Sequence, residues 1–173
     1  MFASLDLAAE PQLRLTELIA ALTRNAVDFV VIGGVAAQLH RLPMPATVDL
    51  DITPSRSPEN LTRLAKVFDE IDAALATAGE YGTWFPWHPI SNWSQYETLH
   101  LITKFGLLDL VFAPEGSEDG FNELIRESQK LQLGKDVVRV ISVGTWERLK
   151  LATKRDKDIF HLLLLARHRE QRE

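Results

Sequence analysis

The sequence has 173 residues, of which 46% are hydrophobic and 25% charged, a composition typical of a globular protein with a buried core. No window approaches the roughly 18 apolar residues that a membrane span needs. The absence of cysteine excludes disulfides, thiolate metal sites and cysteine nucleophiles. The net charge of -5 argues against nucleic-acid binding through overall charge alone.

Residues 1–15 lack the basic segment and apolar block of a secretory signal, so we expect a cytoplasmic protein with no membrane partner. No repeat, low-complexity run or linker divides the sequence. We therefore expect a single domain over residues 1–173.

Hydrophobic spacing predicts alternating helices and strands in the first half of the chain. Ser57 and Pro58 form an N-cap followed by a first-turn proline, a strong start for a helix of about five turns. The predicted order is helix 13–24, strand 28–32, helix 35–41, strand 47–53 and helix 57–76.

The second half begins with an aromatic stretch over 80–96, predicted to be irregular, which holds Trp84, Trp87 and Trp93. After it we predict paired strands 98–104 and 106–112, helix 120–132, strand 136–142, and one broken or two successive helices over 145–170. This order indicates a small α/β (α+β) fold with a mixed β-sheet flanked by helices.

Two aspartates on strand 47–53 are the first candidate site residues. Asp49 and Asp51 alternate with Val48, Leu50 and Ile52, so both project from the polar face of the strand. Two carboxylates so close repel each other unless a cation lies between them, and Mg²⁺ suits carboxylate ligands. The alternative is a strand face turned toward solvent.

Asp109 lies in the apolar segment LLDLVF, where an ionised carboxylate is costly unless a metal or an arginine compensates it. A buried ion pair or a helix cap is the alternative. Gly33 and Gly34 end a buried strand and begin a helix, which allows close backbone approach to a phosphate. The pair is equally consistent with a simple tight turn.

Taken together, these residues resemble the signature of the nucleotidyltransferases with a DNA polymerase β-like fold. That signature is a G-[GS] pair, then D-x-[DE] on a strand, then a third acidic residue on another strand. It is carried here by Gly33-Gly34, Asp49-Leu50-Asp51 and Asp109. The segment from Gly33 to Leu64 is similar to the AbiEii branch, which includes the MenT-like toxins; Thr47 matches that branch as well.

The C-terminal segment is similar to a lysine-rich helix that closes many of these proteins. Residues 148–173 contain eight Lys/Arg and four Asp/Glu. On a continuous helix Lys150, Lys154 and Asp158 share one face. The resemblance implies that Lys154, together with Lys150 or Arg155, contacts the triphosphate and that Asp158 holds a lysine in place. An exposed, ion-paired helix face is the alternative.

The resemblance implies a single nucleotidyltransferase domain, with a catalytic core in residues 1–115 and a C-terminal strand and helices in 116–173. Asp49 and Asp51 are expected to bind two Mg²⁺ ions with the NTP. Asp109 is expected to share the catalytic metal, and Gly33 and Gly34 to contact phosphates. The expected reaction transfers an NMP to a hydroxyl and releases pyrophosphate.

The acceptor implied by the branch is the 3′ end of tRNA, in the toxin of a toxin–antitoxin system with a cognate antitoxin as partner. Single-stranded RNA could stack on Trp84, Trp87 and Trp93, although tryptophans in such a stretch more often form local core. Protein adenylylation and a small-molecule transfer of the aminoglycoside type stay open. A non-catalytic binding module is disfavoured because it has no need of Asp109 between leucines.

Overall fold

The computed structural model describes residues 12–77 and 80–172. Its helices are α1 (Leu15–Arg24), α2 (Gly33–Leu39), α3 (Pro58–Glu70), α4 (Gly120–Leu124), α5 (Val143–Thr153) and α6 (Asp156–Glu170). Its strands are β1 (Phe29–Ile32), β2 (Asp49–Pro54), β3 (Ala74–Thr77), β4 (Glu80–Thr83), β5 (Thr98–Thr103), β6 (Gly106–Val111), β7 (Ser128–Leu133) and β8 (Asp136–Ile141). None of these helices is long and apolar enough to cross a membrane.

The strands form one mixed sheet in the order β4-β3-β5-β6-β2-β1-β8-β7, which confirms the predicted fold class. β2 runs parallel to β6 and β1 parallel to β8, whereas the other neighbours are antiparallel. The parallel pairing brings two strands distant in sequence side by side at the centre of the sheet. This pairing positions the site described below.

The start of α3 follows its predicted capping signal. The Ser57 side chain accepts a hydrogen bond from the Asn60 backbone amide, and Pro58 occupies the first helical turn. The buried Asn60 side chain donates to the carbonyls of Asp28 and Ser55. The helix is therefore fixed against the loop that leads into β1.

The predicted extension of this helix to residue 76 is wrong. The helix ends at Glu70, Asp72 takes a left-handed conformation (φ 53°), and Ala74–Thr77 form β3. Leu75 pairs with Leu101 of β5. Pairing with β4 on one side and β5 on the other outweighs the helix propensity of the alanines in this segment.

The predicted helix over 120–132 is also wrong beyond its first turn and a half. Only Gly120–Leu124 is helical, and β7 then pairs along its whole length with β8. In β7 the half-buried Leu131 and Leu133 alternate with exposed polar residues, as expected for an edge strand. The alternation of polar and apolar residues that indicates a strand is present in this segment, but it extends over only a few residues.

The aromatic stretch contributes to the core, as the packing interpretation predicted. Trp93 is fully buried and Trp87 nearly so, with ring centroids 5.3 and 4.7 Å from that of Phe68. Both indole nitrogens donate to backbone carbonyls. Trp84, in contrast, is 79% exposed. Two of the three tryptophans are therefore unavailable for stacking on RNA.

Candidate active site

A cavity of about 510 Å³ opens where β2, β5 and β6 meet α2, α5 and α6. Eight of the ten sequence-predicted site residues line it: Gly33, Gly34, Thr47, Asp49, Asp51, Asp109, Lys150 and Arg155. The other two are Lys154 and Asp158. The fold thus gathers residues from both halves of the chain around one space.

Three carboxylates form one wall of this cavity. Asp49 and Asp51 project from the same face of β2, and parallel pairing puts Asp51 directly beside Asp109 of β6. Each of the three offers an oxygen atom, and these oxygens lie within 4.8 Å of one another. The predicted grouping of the aspartates on one face is confirmed.

Burial and the neighbouring carboxylates raise the pKa of two of these groups, Asp51 and Asp109. Burial, followed by repulsion from Asp49 and Asp109, raises the pKa of Asp51 to about 7. Burial also raises the pKa of Asp109, although contact with His100 opposes the shift. The carboxylates therefore crowd together with too little positive charge from the protein, an arrangement that a bound cation stabilises.

His100 and Thr47 hold two of the carboxylates in place. His100 lies opposite Asp109 in the antiparallel β5–β6 pair, and its Nδ1 is 3.0 Å from Asp109 Oδ1. Thr47 Oγ1 donates to Asp49 Oδ1 at 2.7 Å. Sequence reasoning missed His100; the strand alternation that puts Thr98 and His100 on one face was the available signal.

The glycine pair packs directly against the strand that carries the aspartates. Gly33 has φ +64°, and a Cβ added there would lie 2.2 Å from Asp51 Oδ2. A Cβ on Gly34 would lie 2.8 Å from Thr47 Cβ and Oγ1. The two glycines thus allow the start of α2 to approach both residues, and Trp146 Nε1 donates to the Gly33 carbonyl.

Basic side chains from α5, from α6 and from the turn between them form the facing wall. Lys150, Arg155 and Lys157 line the cavity, and the two lysines lower the pKa of Asp51 by Coulomb attraction. One side of the cavity is therefore anionic and the other cationic. A ligand that combines phosphates with a divalent cation matches both sides.

Asp158 organises the cationic wall from behind. It is fully buried and accepts hydrogen bonds from Lys150 Nζ at 2.6 Å, from Arg155 Nε at 2.7 Å and from Thr153 Oγ1. Although burial opposes it, these contacts lower the pKa of Asp158 to about 2. The contact between Asp158 and a lysine matches the predicted arrangement.

The predicted common helix face of Lys150, Lys154 and Asp158 is wrong. α5 ends at Thr153, Lys154 takes a left-handed conformation (φ 53°), and α6 starts at Asp156. Lys154 is exposed and does not line the cavity, whereas Lys157 does. The sequence spacing identified the correct segment, but the break between helices decided which lysine faces the site.

The chemistry of the donor set suits Mg²⁺. The ion takes oxygen ligands, usually one or two carboxylates together with substrate phosphates and water. Asp49, Asp51 and Asp109 supply carboxylate oxygens only, with no sulfur ligand and His100 turned to Asp109. Burial and repulsion within the cluster raise the pKa of Asp51, and a bound cation would oppose both effects.

The architecture matches that of a solved Thermotoga maritima protein provisionally assigned as a nucleotidyltransferase. The match has a TM-score of 0.54 at 15% sequence identity and covers 86% of this chain and 87% of that one. The chain has the nucleotidyltransferase fold. At this level of identity the likeness concerns the fold alone.

Two solved structures of the antibiotic-resistance factor ANT(2'')-Ia match more weakly. The solution structure has a TM-score of 0.45 at 14% identity, covering 90% of this chain and 89% of that one. The complex with adenylyl-2''-tobramycin has a TM-score of 0.43 at 12% identity, covering 87% and 94%. Neither score supports an argument about fold or function. No family model and no curated protein matches the sequence significantly.

Proposed function

We propose that this chain is a Mg²⁺-dependent nucleotidyltransferase that moves an NMP from an NTP to a hydroxyl acceptor and releases pyrophosphate. The observation that supports the proposal is the cluster of Asp49, Asp51 and Asp109, whose oxygens lie within 4.8 Å of one another on a nucleotidyltransferase fold. Side chains on both sides of the predicted boundary between residues 1–115 and 116–173 line the cavity, so we propose that the two parts act as a single domain.

In this proposal the two walls have separate tasks. Asp49, Asp51 and Asp109 would hold Mg²⁺, which when bound supplies charge stabilisation for the transferred and leaving phosphates. Lys150 and Arg155, oriented by Asp158, contact the β- and γ-phosphates and stabilise the negative charge of the departing pyrophosphate. Lys157 lines the same wall and is better placed for this task than Lys154.

Asp109 is proposed to orient the attacking hydroxyl and accept its proton. Its pKa is raised above the usual value, which makes it a stronger base than an exposed aspartate. His100 contacts Asp109 Oδ1 and leaves Oδ2 for other partners. Gly33 and Gly34 keep the start of α2 close enough to contact phosphate oxygens, as the sequence resemblance implies.

As acceptor we propose the 3′ end of tRNA, in a cytoplasmic toxin of the AbiEii/MenT-like branch with a cognate antitoxin. The basic wall of Lys150, Arg155 and Lys157 and the exposed Trp84 support an RNA acceptor through charge and stacking. The burial of Trp87 and Trp93 removes the remainder of the predicted stacking surface.

A small-molecule hydroxyl is the second candidate acceptor. The cavity volume of about 510 Å³ is within the usual range for small-molecule sites, and this observation favours the alternative. When the NTP carries a label on its α-phosphate, the two acceptors are distinguished by which molecule, tRNA or small molecule, becomes labelled.

The test offers the protein each of the four α-labelled NTPs with Mg²⁺ and, separately, total tRNA, a panel of aminoglycosides, and cell protein. Label on tRNA that disappears in Asp51→Asn supports the leading acceptor, and label on a small molecule supports the second. Label on cell protein would indicate that the acceptor is a protein, as in protein adenylylation. Asp72→Asn is the matched control, because Asp72 is exposed and does not line the cavity. No label on any acceptor would refute nucleotidyl transfer.

A further inference from the structure

The outer side of α6 carries three exposed apolar side chains. Ile159, Phe160 and Leu163 are 47%, 52% and 63% exposed. Their spacing of three and four residues places them together on one face of the helix. On the side turned to the core, Leu165 is buried and Leu162 packs against the other core residues. A helix that is apolar on two sides is typical of one covered on both, and the described part of the chain leaves this outer face uncovered.

Two charged residues of opposite sign flank these apolar side chains. Asp156 lies one turn before them and Arg167 one turn after them, so both continue the same outer face of α6. Both are exposed, and neither is among the residues of α6 that form ion pairs within 12–77 and 80–172. The segment 156–167 therefore presents a negative, an apolar and a positive part in turn, and Glu170 follows one turn beyond it.

This order of charges is complementary to its own reverse. Two identical helices packed antiparallel about a two-fold axis bring each residue opposite the one that is equally far from the axis. Asp156 and Arg167 are equally far from the middle of the segment 156–167, and so are Phe160 and Leu163. One axis therefore pairs aspartate with arginine at both ends and brings the phenylalanine of each copy against the leucine of the other. Parallel packing would instead put like charges opposite each other.

We propose that the outer face of α6 binds a second copy of this chain, in a two-fold symmetric dimer whose α6 helices lie antiparallel. Burial of the apolar centre stabilises the dimer, and the ion pairs at its two ends fix the direction of the helices. An anionic membrane surface fits this face less well, because the chain has a net charge of -5. The proposal does not depend on the reaction, since Lys157 and His161, which line the cavity, leave a different side of α6.

The first experiment measures self-association of the full chain by sedimentation velocity over a range of protein concentrations. The unaltered protein is expected to change from monomer to dimer as its concentration rises. Leu163→Glu should weaken dimerisation at least about a hundredfold, because it places two carboxylates without partners in the apolar centre. Since Leu163 is 63% exposed in the single chain, the circular dichroism spectrum should not change. Trp84→Glu is the matched control, because Trp84 is 79% exposed and lies outside α6.

A second experiment reverses the charges at the two ends of the face. Asp156→Arg and Arg167→Asp should each weaken dimerisation about tenfold, because like charges replace an exposed ion pair at both ends of the interface. An equal mixture of the two variants should recover the affinity of the unaltered protein. In the mixed dimer an arginine again faces an aspartate at each end. Recovery in the mixture also shows that both variants are folded.

A protein that stays monomeric at every concentration overturns the proposal, and so does a dimer that persists in Leu163→Glu. Charge variants that dimerise as tightly as the unaltered protein, or a mixture that shows no recovery, contradict the antiparallel arrangement. Binding of a monomeric protein to vesicles of anionic phospholipid, lost in Leu163→Glu, would assign the face to a membrane instead. None of these results bears on nucleotidyl transfer, which is judged by labelling of an acceptor.

Discussion

Replacing Gly33 with alanine is the most direct test of how the site is built. The left-handed backbone at Gly33 (φ +64°) costs an alanine about 1–2 kcal/mol. In addition, the new Cβ would lie 2.2 Å from Asp51 Oδ2 and 2.9 Å from its Cγ, so the carboxylate must move. Together these effects predict a loss of about 2–4 kcal/mol in the free energy of unfolding.

The position of Asp51 is expected to change along with the stability. Because Asp51 belongs to the carboxylate cluster, Gly33→Ala should also reduce the rise in melting temperature that Mg²⁺ or Mn²⁺ produces. The assays are urea unfolding, followed by thermal unfolding with and without the cation. A Gly33→Ala variant that unfolds at lower urea concentration and gains less melting temperature from the cation would agree with the geometry.

Gly144→Ala is the matched control for this substitution. A Cβ at Gly144 meets no atom within 4 Å, and the residue lies in the first turn of α5. Alanine there is expected to be neutral or to stabilise by up to about 1 kcal/mol. The reasoning fails if Gly33→Ala loses less than about 0.5 kcal/mol and keeps the full cation response.

Three further predictions concern charge and burial. Because the pKa of Asp51 is raised to about 7, a proton competes with the cation; Mg²⁺ should therefore raise the melting temperature more at about pH 8 than at about pH 6. Equal shifts at both pH values, or shifts retained in Asp51→Asn, would contradict this. The pKa of Asp158 is lowered to about 2, so its contribution to stability is complete above its unfolded-state pKa of about 4 and disappears as the pH falls through the folded-state value. Asp158→Asn should lose about 3–5 kcal/mol in the free energy of unfolding near neutrality, and its free energy of unfolding should fall less steeply as the pH is lowered. An unchanged dependence on pH in acid, measured by denaturant titration, would argue against the assignment. Trp93→Ala should cost about 3–5 kcal/mol because Trp93 is fully buried, whereas Trp84→Ala should change stability by less than about 0.5 kcal/mol; similar losses in urea unfolding would refute the assigned burial.

The sequence by itself determined which face of β2 carries the carboxylates. Alternation along a strand has a period of two residues, so Asp49 and Asp51 share one face whatever the strand pairs with. The capping signal of Ser57 and Pro58 likewise defined the start of α3, because it depends on neighbouring residues only. Local geometry is encoded locally, and these predictions are confirmed.

Strand pairing was decided by the tertiary structure. Asp109 meets Asp51 because β6 joins β2 in parallel, a pairing of strands separated by more than 50 residues that no local pattern specifies. The alanine-rich segment at 74–77 becomes a strand because β5 offers it an edge. His100 enters the site through the same antiparallel register.

The cationic wall was the least predictable part of the site. The sequence indicated a basic segment, but the left-handed turn at Lys154 rotates α6 relative to α5. Asp158 therefore reaches Lys150 across the break instead of along one helix, and Lys157 and His161 face the cavity. A single backbone conformation between two helices decides which side chains line the site, because every later side chain turns with it.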